Sequence, residues 1–146
     1  MCGIFGITRK SEFHEIDISG STLLCHRGPD NEGNWENDDV KIEHSRLAII
    51  DLTDAGNQPF ELEQGKVLVF NGEIYNFQEL RKNWYDENQP WKSHSDTEVL
   101  YRGLVTKGLE CLNELNGMFA FGFFDTNSNK IFLARDRYGI EPIYYY

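Results

Sequence analysis

The sequence predicts an α+β fold in which antiparallel strands dominate and two or three helices are set among them. Its 20 Phe, Tyr and Trp residues occur mostly in short stretches where apolar and polar residues alternate, as they do in half-buried strands. Helical signals are confined to a few segments. Strands and helices do not alternate strictly along the chain, which argues against a doubly wound parallel sheet.

The first fifty residues are predicted to hold two strands, with a short helix and a loop between them. Residues 2–7 form an apolar segment in which glycine permits close approach of a neighbouring chain, so we expect a buried strand. A short helix is expected over residues 19–24, and the turn formers of residues 26–30 indicate a loop. The second strand is expected over residues 41–47, continuing through the apolar residues 48–50.

A hairpin is predicted in the middle of the chain. Residues 66–70 have the composition of a strand, and Asn71-Gly72 follows them directly. Asn-Gly between such stretches is the strongest short-range signal for a two-residue turn. Residues 73–75 would then be the returning strand.

Two helices and a helical turn are predicted next. Asn76 is expected to cap a first short helix. Ser95 and Glu98 fit a capping box that opens a longer helix, and Gly108 is expected to end that helix. A further helical turn is expected over residues 109–115.

Three strands are predicted at the end of the chain. In residues 117–125 a period of two places three aromatic side chains on one face, namely Phe119, Phe121 and Phe123. A turn then reverses the chain, and the remaining strands are expected over residues 131–134 and 143–146. No internal repeat or linker interrupts the sequence, so residues 1–146 are expected to form one domain.

Composition excludes several classes of protein. The 24 acidic residues outnumber the 14 basic ones, giving a net charge of −10, and no basic cluster is longer than two residues. Nucleic-acid binding is therefore not expected. The longest apolar run is far shorter than the roughly 20 residues of a membrane span, and no secretory signal opens the chain. We expect a soluble, cytoplasmic protein that does not bind a membrane.

The cysteines and histidines predict neither a disulfide framework nor a metal site. Cys2, Cys25 and Cys111 include no pair at CxxC spacing, and their odd number leaves at least one thiol free. The four histidines also lack the spacing of metal ligands. We therefore expect no bound metal.

Cys2 has two interpretations. It can become the first residue of the chain, because a small second residue permits removal of the initiator Met1. Its α-amine, with a pKa of about 7.7–8.0, would then lie beside a thiol whose pKa is about 8.5, so that one residue supplies both nucleophile and base. The alternative is a cysteine buried in the first strand, where free cysteines are common.

Six segments together resemble a known family. They are MCGIFGI at 1–7, HRGPD at 26–30, SRLAIIDL at 45–52, FNGEIYN at 70–76, SDTE at 95–98 and ARDRYG at 134–139. In this order and spacing they resemble the class II glutamine amidotransferases and, within that family, the glutamine-dependent asparagine synthetases. The resemblance spans the whole chain.

The resemblance implies a fold and a nucleophile. The fold is that of the N-terminal-nucleophile hydrolases, a four-layer α/β/β/α arrangement with two packed antiparallel sheets. The nucleophile is Cys2, and the oxyanion hole consists of the side-chain amide of Asn71 and the backbone N–H of Gly72. Removing one such donor typically costs about 2.7–4 kcal/mol of transition-state stabilisation. Without the resemblance, Asn71-Gly72 is simply a type I′ turn.

The resemblance also implies a binding site for the α-amino acid end of glutamine. Arg46 would hold the α-carboxylate through its planar, bidentate guanidinium, and Asp96 and Glu73 would hold the α-ammonium group. Arg27 would support the site structurally. Considered alone, Arg46 is a surface salt-bridge residue and Asp96 an acid in the first turn of a helix.

The expected reaction is the hydrolysis of glutamine to glutamate and ammonia without a cofactor. Attack of the thiolate on the side-chain carboxamide would release ammonia and leave a γ-glutamyl thioester, which water hydrolyses. The ammonia would pass to a synthetase domain, in cis or in trans, that uses ATP and Mg²⁺ to make asparagine from aspartate. No glycine-rich phosphate loop of such a domain occurs in these 146 residues, so the synthetase domain is expected to be absent from this chain.

Two alternatives stay open. The domain could serve another carboxylate acceptor, such as a sugar acid, or it could bind glutamine or mediate assembly without turnover if Met1 is retained. Two residues also depart from the family's pattern: Glu141 stands where relatives usually carry Lys, and Asn57 where His is frequent. Both departures leave the predicted glutaminase residues intact, and the sequence is compatible with an oligomer.

Overall fold

Two antiparallel sheets and three α-helices make up the part of the chain, residues 1–8, 19–86 and 88–146, that this computed structural model describes. The strands are β1 (Gly3–Thr8), β2 (Asn31–Glu36), β3 (Val40–Arg46), β4 (Lys66–Ile74), β5 (Gly117–Asp125) and β6 (Lys130–Arg135). The helices are α1 (Gly20–Leu24), α2 (Phe77–Trp84) and α3 (Asp96–Lys107), with 3₁₀ segments at Asp54–Gly56 and Gly108–Glu114.

The first sheet has the strand order β1-β3-β2. The start of β1 pairs with the end of β3, so that Gly3 lies opposite Ser45. Helix α1 covers the outer face, where Gly20 packs so closely that a Cβ atom on it would lie 2.1 Å from the Phe5 ring. This pairing brings Cys2, which precedes β1, beside the residues that follow β3.

The second sheet has the strand order β4-β5-β6, and its two faces bury different cores. Phe119, Phe121 and Phe123 lie on the face that packs against α2 and α3, as their spacing predicted. Phe124 lies on the opposite face, which packs on the first sheet together with side chains of β3 and β4: Val40, Ile42, Val67 and Val69. The layers therefore run helix, sheet, sheet, helix, and the predicted α+β four-layer arrangement is confirmed.

The two predicted helix starts are confirmed, although the side chains act differently. Ser95 accepts a hydrogen bond from the Glu98 backbone N–H (3.3 Å), as in a capping box. The Glu98 carboxylate does not return to Ser95; it accepts the Ser93 N–H (2.6 Å) and pairs with Arg102 (2.8 Å). Asn76 precedes α2, but its side chain bonds the backbone before β5 instead of capping the helix.

The hairpin predicted at Asn71-Gly72 is wrong. Strand β4 runs straight through both residues, with Asn71 opposite Ala120 and Gly72 opposite Phe119 on β5. Gly72 has φ 137°, and a Cβ atom there would lie 2.1 Å from the Met118 carbonyl oxygen. The position therefore needs glycine because of strand-to-strand contact, and Asn-Gly is not a turn here.

Two other strand predictions differ from the structure, and one strand was not predicted. The second predicted strand ends at Arg46, and residues 47–50 form no ladder. The polar segment Asn31–Glu36 forms β2, because β3 offers it a full ladder of partners. Residues 143–146 have strand-like composition but pair with no strand in the described part of the chain.

No helix among the described residues is both long and apolar enough to span a bilayer. Of the four histidines, His14 lies outside those residues.

Candidate active site

The six residues predicted as the site line one cleft, at the end of the sheets where β1 begins and β3 ends. They come from the start of β1, the end of β3, the C-terminal half of β4 and the first turn of α3: Cys2, Arg46, Asn71, Gly72, Glu73 and Asp96. Four separate segments thus converge on one surface depression. Leu47, Gln58 and Met118 are among the other residues that line it.

Cys2 is half-buried, and its thiol is held by backbone groups just after β3. The Leu47 N–H donates to Cys2 Sγ (3.3 Å), and Arg27 Nε donates to the Cys2 carbonyl oxygen (3.0 Å). Burial raises the pKa of the Cys2 thiol, and the Leu47 N–H and the Arg46 charge oppose that rise. The thiol is therefore protonated at neutral pH unless a base removes its proton.

Arg46 is buried at the end of β3, with its guanidinium held by a loop wrapped around it. Nη1 donates to the Thr53 carbonyl oxygen (2.8 Å) and to Asn57 Oδ1 (2.6 Å), and Nη2 donates to the Asp51 carbonyl oxygen. A guanidinium has five N–H donors. The contacts recorded for the described residues use three of them, which leaves Nε and one Nη2 hydrogen for a carboxylate.

The loop around Arg46 has its own local reasons to fold. Asp51 adopts the left-handed conformation (φ 57°), which Asp tolerates better than most residues. Its carboxylate accepts the Thr53 N–H (3.0 Å) and the Thr53 hydroxyl (2.6 Å), and it also accepts the His94 N–H (2.7 Å). These bonds connect the Arg46 loop to the segment before α3, which carries Asp96.

Asp96 is a buried carboxylate at the first residue of α3. It accepts the Ile74 N–H from β4 and the N–H of Thr97, both at 2.9 Å. Burial raises the pKa of Asp96 to about 6 in spite of these donors, and the nearby Glu73 charge contributes to the rise. Glu73 is half-buried on the same cleft. The two acids and the cationic Arg46 line the same cleft.

The backbone of β4 presents every second amide to the edge that faces away from β5. On that edge the Leu68 N–H bonds Phe60 (3.0 Å), the Phe70 N–H bonds Gln58 Oε1 (2.7 Å) and the Ile74 N–H bonds Asp96. Gly72 is the remaining member of this row. No hydrogen bond from its N–H is recorded among the described residues, so this amide is available to a ligand in the cleft.

Asn71 points its side chain between the two sheets and is almost fully buried. Its Nδ2 donates to Glu141 Oε2 (2.5 Å), and an amide nitrogen carries a second hydrogen. Asn71 and Gly72 are adjacent in the strand and both border the cleft with Cys2. The cleft therefore brings a thiol, an amide side chain and an open backbone N–H together.

Sequence reasoning identified Arg27, which bonds the Cys2 carbonyl oxygen, as a support of the site, but it missed the other residues that hold the site in place. Leu47 acts through its backbone, for which its side chain gives no signal. Asn57 was noticed only as a departure, whereas its side chain orients Arg46. Glu141 was also noticed as a departure, and it bonds Asn71. Asp51, an Asp directly followed by Leu-Thr-Asp, carries the composition of a tight Asx turn, which is a usable signal.

A second depression lies beside α2 and is wider and more open. It is lined by amide and charged side chains on the surface: Tyr75, Asn76, Gln78, Glu79, Lys82 and Asn116. The Asn76 side chain is already occupied by the Glu114 carbonyl oxygen and the Asn116 N–H. Unlike the Cys2 cleft, this depression is lined by no nucleophilic cysteine and no buried charged side chain among the described residues.

Known proteins carry the same sequence pattern. Residues 1–146 match the family described as glutamine amidotransferase domain. The putative asparagine synthetase (glutamine-hydrolyzing) 2 of Methanocaldococcus jannaschii is 38% identical, over 100% of this chain and 32% of that protein. Asparagine synthetase B (glutamine-hydrolyzing) of Escherichia coli is 40% identical, over 99% of this chain and 26% of that protein.

A relative with a different name matches equally well. Amidase chry2 of Gibberella zeae is 42% identical, over 93% of this chain and 20% of that protein. The chain thus spans between a fifth and a third of the length of these three relatives. The family match extends over every residue of the sequence, and the chain therefore belongs to the glutamine amidotransferase domain family.

Proposed function

We propose that this domain hydrolyses glutamine to glutamate and ammonia, with Cys2 as the nucleophile once Met1 has been removed. The observation that carries the proposal is the convergence in one cleft of the Cys2 thiol, the Arg46 guanidinium and the Asp96 carboxylate. A cation and an anion in the same cleft as a nucleophile suit an α-amino acid with a reactive side chain. Family membership supports the same assignment.

The two ends of the cleft would recognise the two charges of the substrate's α-carbon. The glutamine α-carboxylate would accept from Arg46 Nε and Nη2, the donors that the loop leaves available. The α-ammonium group would donate to Asp96 and Glu73. Binding a cation beside Asp96 favours its ionised form, so substrate binding would lower the raised pKa of this carboxyl.

The nucleophile would be activated by the chain's own amine. The Cys2 thiol has a raised pKa and needs a base. After Met1 removal the Cys2 α-amine, with a pKa of about 7.7–8.0, supplies one within the same residue. If Met1 were retained, that nitrogen would be an amide whose lone pair is delocalised into the carbonyl group and does not accept a proton, and the domain would bind glutamine without hydrolysing it.

The reaction would proceed in two steps. The Cys2 thiolate forms a bond to the δ-carbon of glutamine, and the carbonyl electron pair moves to oxygen, where Asn71 Nδ2 and the Gly72 N–H stabilise it. The protonated α-amine then gives its proton to the departing nitrogen as the carbon–nitrogen bond breaks. This releases ammonia and leaves a γ-glutamyl thioester. Water adds to the thioester, and glutamate and the free thiol are formed.

The ammonia would pass to a synthetase domain in the same chain or in a partner. The two asparagine synthetase relatives are longer than this chain, which supports a fused domain that uses ATP and Mg²⁺ to convert aspartate to asparagine. The runner-up is a domain that amidates another carboxylate. The match to a relative that is named an amidase, and not an asparagine synthetase, supports this alternative acceptor.

Two measurements on the purified chain test the glutaminase proposal. Intact mass shows whether Met1 is gone, and a glutamate assay measures turnover. We expect the Met1-free chain to release glutamate and Cys2→Ala to release none. Cys25→Ala is the matched control, because Cys25 is exposed and does not line the cleft. A Met1-free chain that is no faster than its Cys2→Ala variant would overturn the proposal.

A further inference from the structure

Asn71 and Glu141 share a buried contact that leaves two oxygens without a donor. Glu141 is 0% exposed and Asn71 is 5% exposed. Asn71 Nδ2 donates to Glu141 Oε2, but no donor among the described residues reaches Asn71 Oδ1 or Glu141 Oε1. A buried acceptor without a partner is unfavourable, and here two of them belong to side chains that already touch.

One proton would satisfy both oxygens. An ionised carboxylate only accepts hydrogen bonds, whereas a protonated carboxyl group carries one O–H donor. If Glu141 Oε1 carries that proton, it can donate to Asn71 Oδ1 while Oε2 accepts from Nδ2. The acid and the amide then form a closed ring of two hydrogen bonds, in which each side chain supplies what the other lacks.

We propose that Glu141 is a neutral carboxylic acid that pairs with the Asn71 amide through two hydrogen bonds and thereby positions it for the oxyanion. Glu141 is a positioning residue, because it acts on the substrate only through Asn71. The two hydrogen bonds fix the orientation of the Asn71 side-chain amide, because its Nδ2 faces Glu141 Oε2 and its Oδ1 faces Glu141 Oε1. It also directs the second Nδ2 hydrogen away from Glu141, so that this hydrogen stays available to the oxyanion.

The groups around Glu141 come from four parts of the chain. Burial raises the pKa of Glu141, and the Asp136 carboxylate in the same loop raises it further. The Asn71 contact from β4, the Arg27 guanidinium after α1 and the amine that precedes β1 act in the opposite direction. The Glu141 backbone is held firmly, because its N–H donates to Asp136 Oδ2 (3.0 Å).

The protonation state matters for the chemistry, and this consequence rests on the proposed glutaminase function. An ionised Glu141 would place a negative charge directly behind the donor that must stabilise a developing oxyanion. A neutral acid orients the same donor without opposing that charge. The turnover number should therefore fall at high pH as Glu141 ionises.

Infrared spectroscopy tests the pairing without any need for turnover. The spectrum of the whole chain near pH 7 is compared with that of Glu141→Gln. We expect a protonated-carboxyl C=O band in the wild type that is missing from the variant. A difference spectrum that contains only carboxylate bands would overturn the proposal.

Kinetics test the positioning role. Glu141→Gln can form the same ring, with its amide N–H donating to Asn71 Oδ1, but it cannot titrate. Glu141→Leu cannot form the ring. We expect Glu141→Leu to lower kcat by about tenfold to a hundredfold, less than the full loss of an oxyanion donor, with little change in KM. Glu141→Gln should recover most of that loss and lack the decline at high pH.

The outcomes separate the two proposals. If Glu141→Leu is as fast as the wild type, or if a folded Glu141→Gln is as slow as Glu141→Leu, Glu141 does not position Asn71 in this way. Thermal melting of each variant shows whether it is folded. If the wild type hydrolyses no glutamine at any pH, the glutaminase proposal fails, and the infrared result still decides the pairing.

Discussion

Arg46 shows how a buried cation is kept ready for a ligand. It is 5% exposed. Three of its N–H groups donate hydrogen bonds to neutral oxygens, namely the Thr53 and Asp51 carbonyls and the Asn57 side-chain amide. None of these partners carries a charge, so the guanidinium keeps its full positive charge in the cleft. Arg46 has no anionic partner among the described residues, so a carboxylate ligand would be the first.

Replacing this arginine should mainly weaken glutamine binding. We expect Arg46→Ala to raise KM by about tenfold to a hundredfold, which corresponds to roughly 1.5–3 kcal/mol for hydrogen bonds to a charged group. Steady-state kinetics with glutamine measure this. Arg137→Ala is the control, because Arg137 is exposed and bonds only the Asn113 carbonyl oxygen in the described structure. An unchanged KM in Arg46→Ala would remove Arg46 from the site.

Asp96 should make substrate binding depend on pH. Its pKa is raised to about 6, so only the form that predominates above this pH can pair with an ammonium group. In a Cys2→Ala background, where no turnover interferes, we expect glutamine to bind about tenfold more weakly at pH 5 than well above pH 6. Calorimetry measures both values. Adding Asp96→Asn should give weak binding at both pH values; a strong pH dependence in that variant would contradict the assignment.

At this scale the sequence predicted the residues of the site and one support, Arg27, but not the other supports. Cys2, Arg46, Asn71, Gly72, Glu73 and Asp96 were all assigned through motif resemblance, and all six line one cleft. Their roles stay predictions. The other supports escaped because they act through backbone atoms, as Leu47 does, or through contacts between distant segments. Asn71 and Glu141 are 70 residues apart in the chain.

Strand β4 is the element on which the candidate oxyanion hole depends, and Gly72 is its most constrained residue. Gly72→Ala would place a Cβ atom 2.1 Å from the Met118 carbonyl oxygen, at a φ of 137° that is unfavourable for alanine. We expect it to destabilise the fold by more than about 2 kcal/mol. Urea unfolding measures the change.

Gly122 of β5 provides the matched control for that substitution. A Cβ atom there would lie 3.4 Å from Val69 and 3.5 Å from Leu133, which is close to ordinary contact. We expect Gly122→Ala to change the free energy of unfolding by less than about 1 kcal/mol. Equal losses in the two variants would show that the close approach at Gly72 is not the cause.

Element predictions failed where tertiary pairing outweighed local composition. Asn71-Gly72 has the composition of a turn, in which glycine supplies a positive φ. Gly72 also has a positive φ here, but within a strand that packs closely against its neighbour. The segment Asn31–Glu36 is poor in strand formers, yet β3 supplies a partner for each residue. Residues 143–146 are rich in strand formers and have no ladder partner among the described residues. Pairing depends on long-range contacts, which local patterns do not record.

At the scale of the whole molecule, His44 joins the two sheets. It lies in β3 with 0% exposure, and its Nε2 forms a 3.2 Å hydrogen bond with the Phe70 carbonyl oxygen of β4. That oxygen also accepts from Gln58 Nε2 (3.2 Å). Burial lowers the pKa of His44 to about 4. A buried hydrogen bond between the two sheets is therefore made by a histidine that stays neutral above about pH 4.

This histidine should make the fold sensitive to acid. Below about pH 6.5 the unfolded chain protonates His44, while the folded protein resists protonation until about pH 4. The unfolded state then binds more protons, so stability should decrease as the pH falls through this window. Urea unfolding between pH 7 and 4.5 measures the slope, and we expect His44→Gln to show a smaller one. An identical slope would exclude His44 as the cause.

The titration of Asp96 changes the free energy of unfolding in the opposite direction to that of His44. Its pKa is raised, so its contribution to stability is complete below about pH 4 and is lost as the pH rises through about 6. Within the same window the two buried groups therefore partly offset each other. In the Asp96→Asn variant this offset is gone, and the loss of stability on acidification should be steeper than in the wild type.

The outer edge of β4 has a consequence for the solubility of the fold. An exposed strand edge invites a strand of another molecule, because a row of open backbone groups is a template for pairing. Along this edge Phe60, Gln58 and Asp96 bond the neighbouring amides, and within the described part of the chain the Gly72 amide has no such partner. The same contacts that border the Cys2 cleft thus leave little of this edge of the sheet open to pairing with a strand of another molecule.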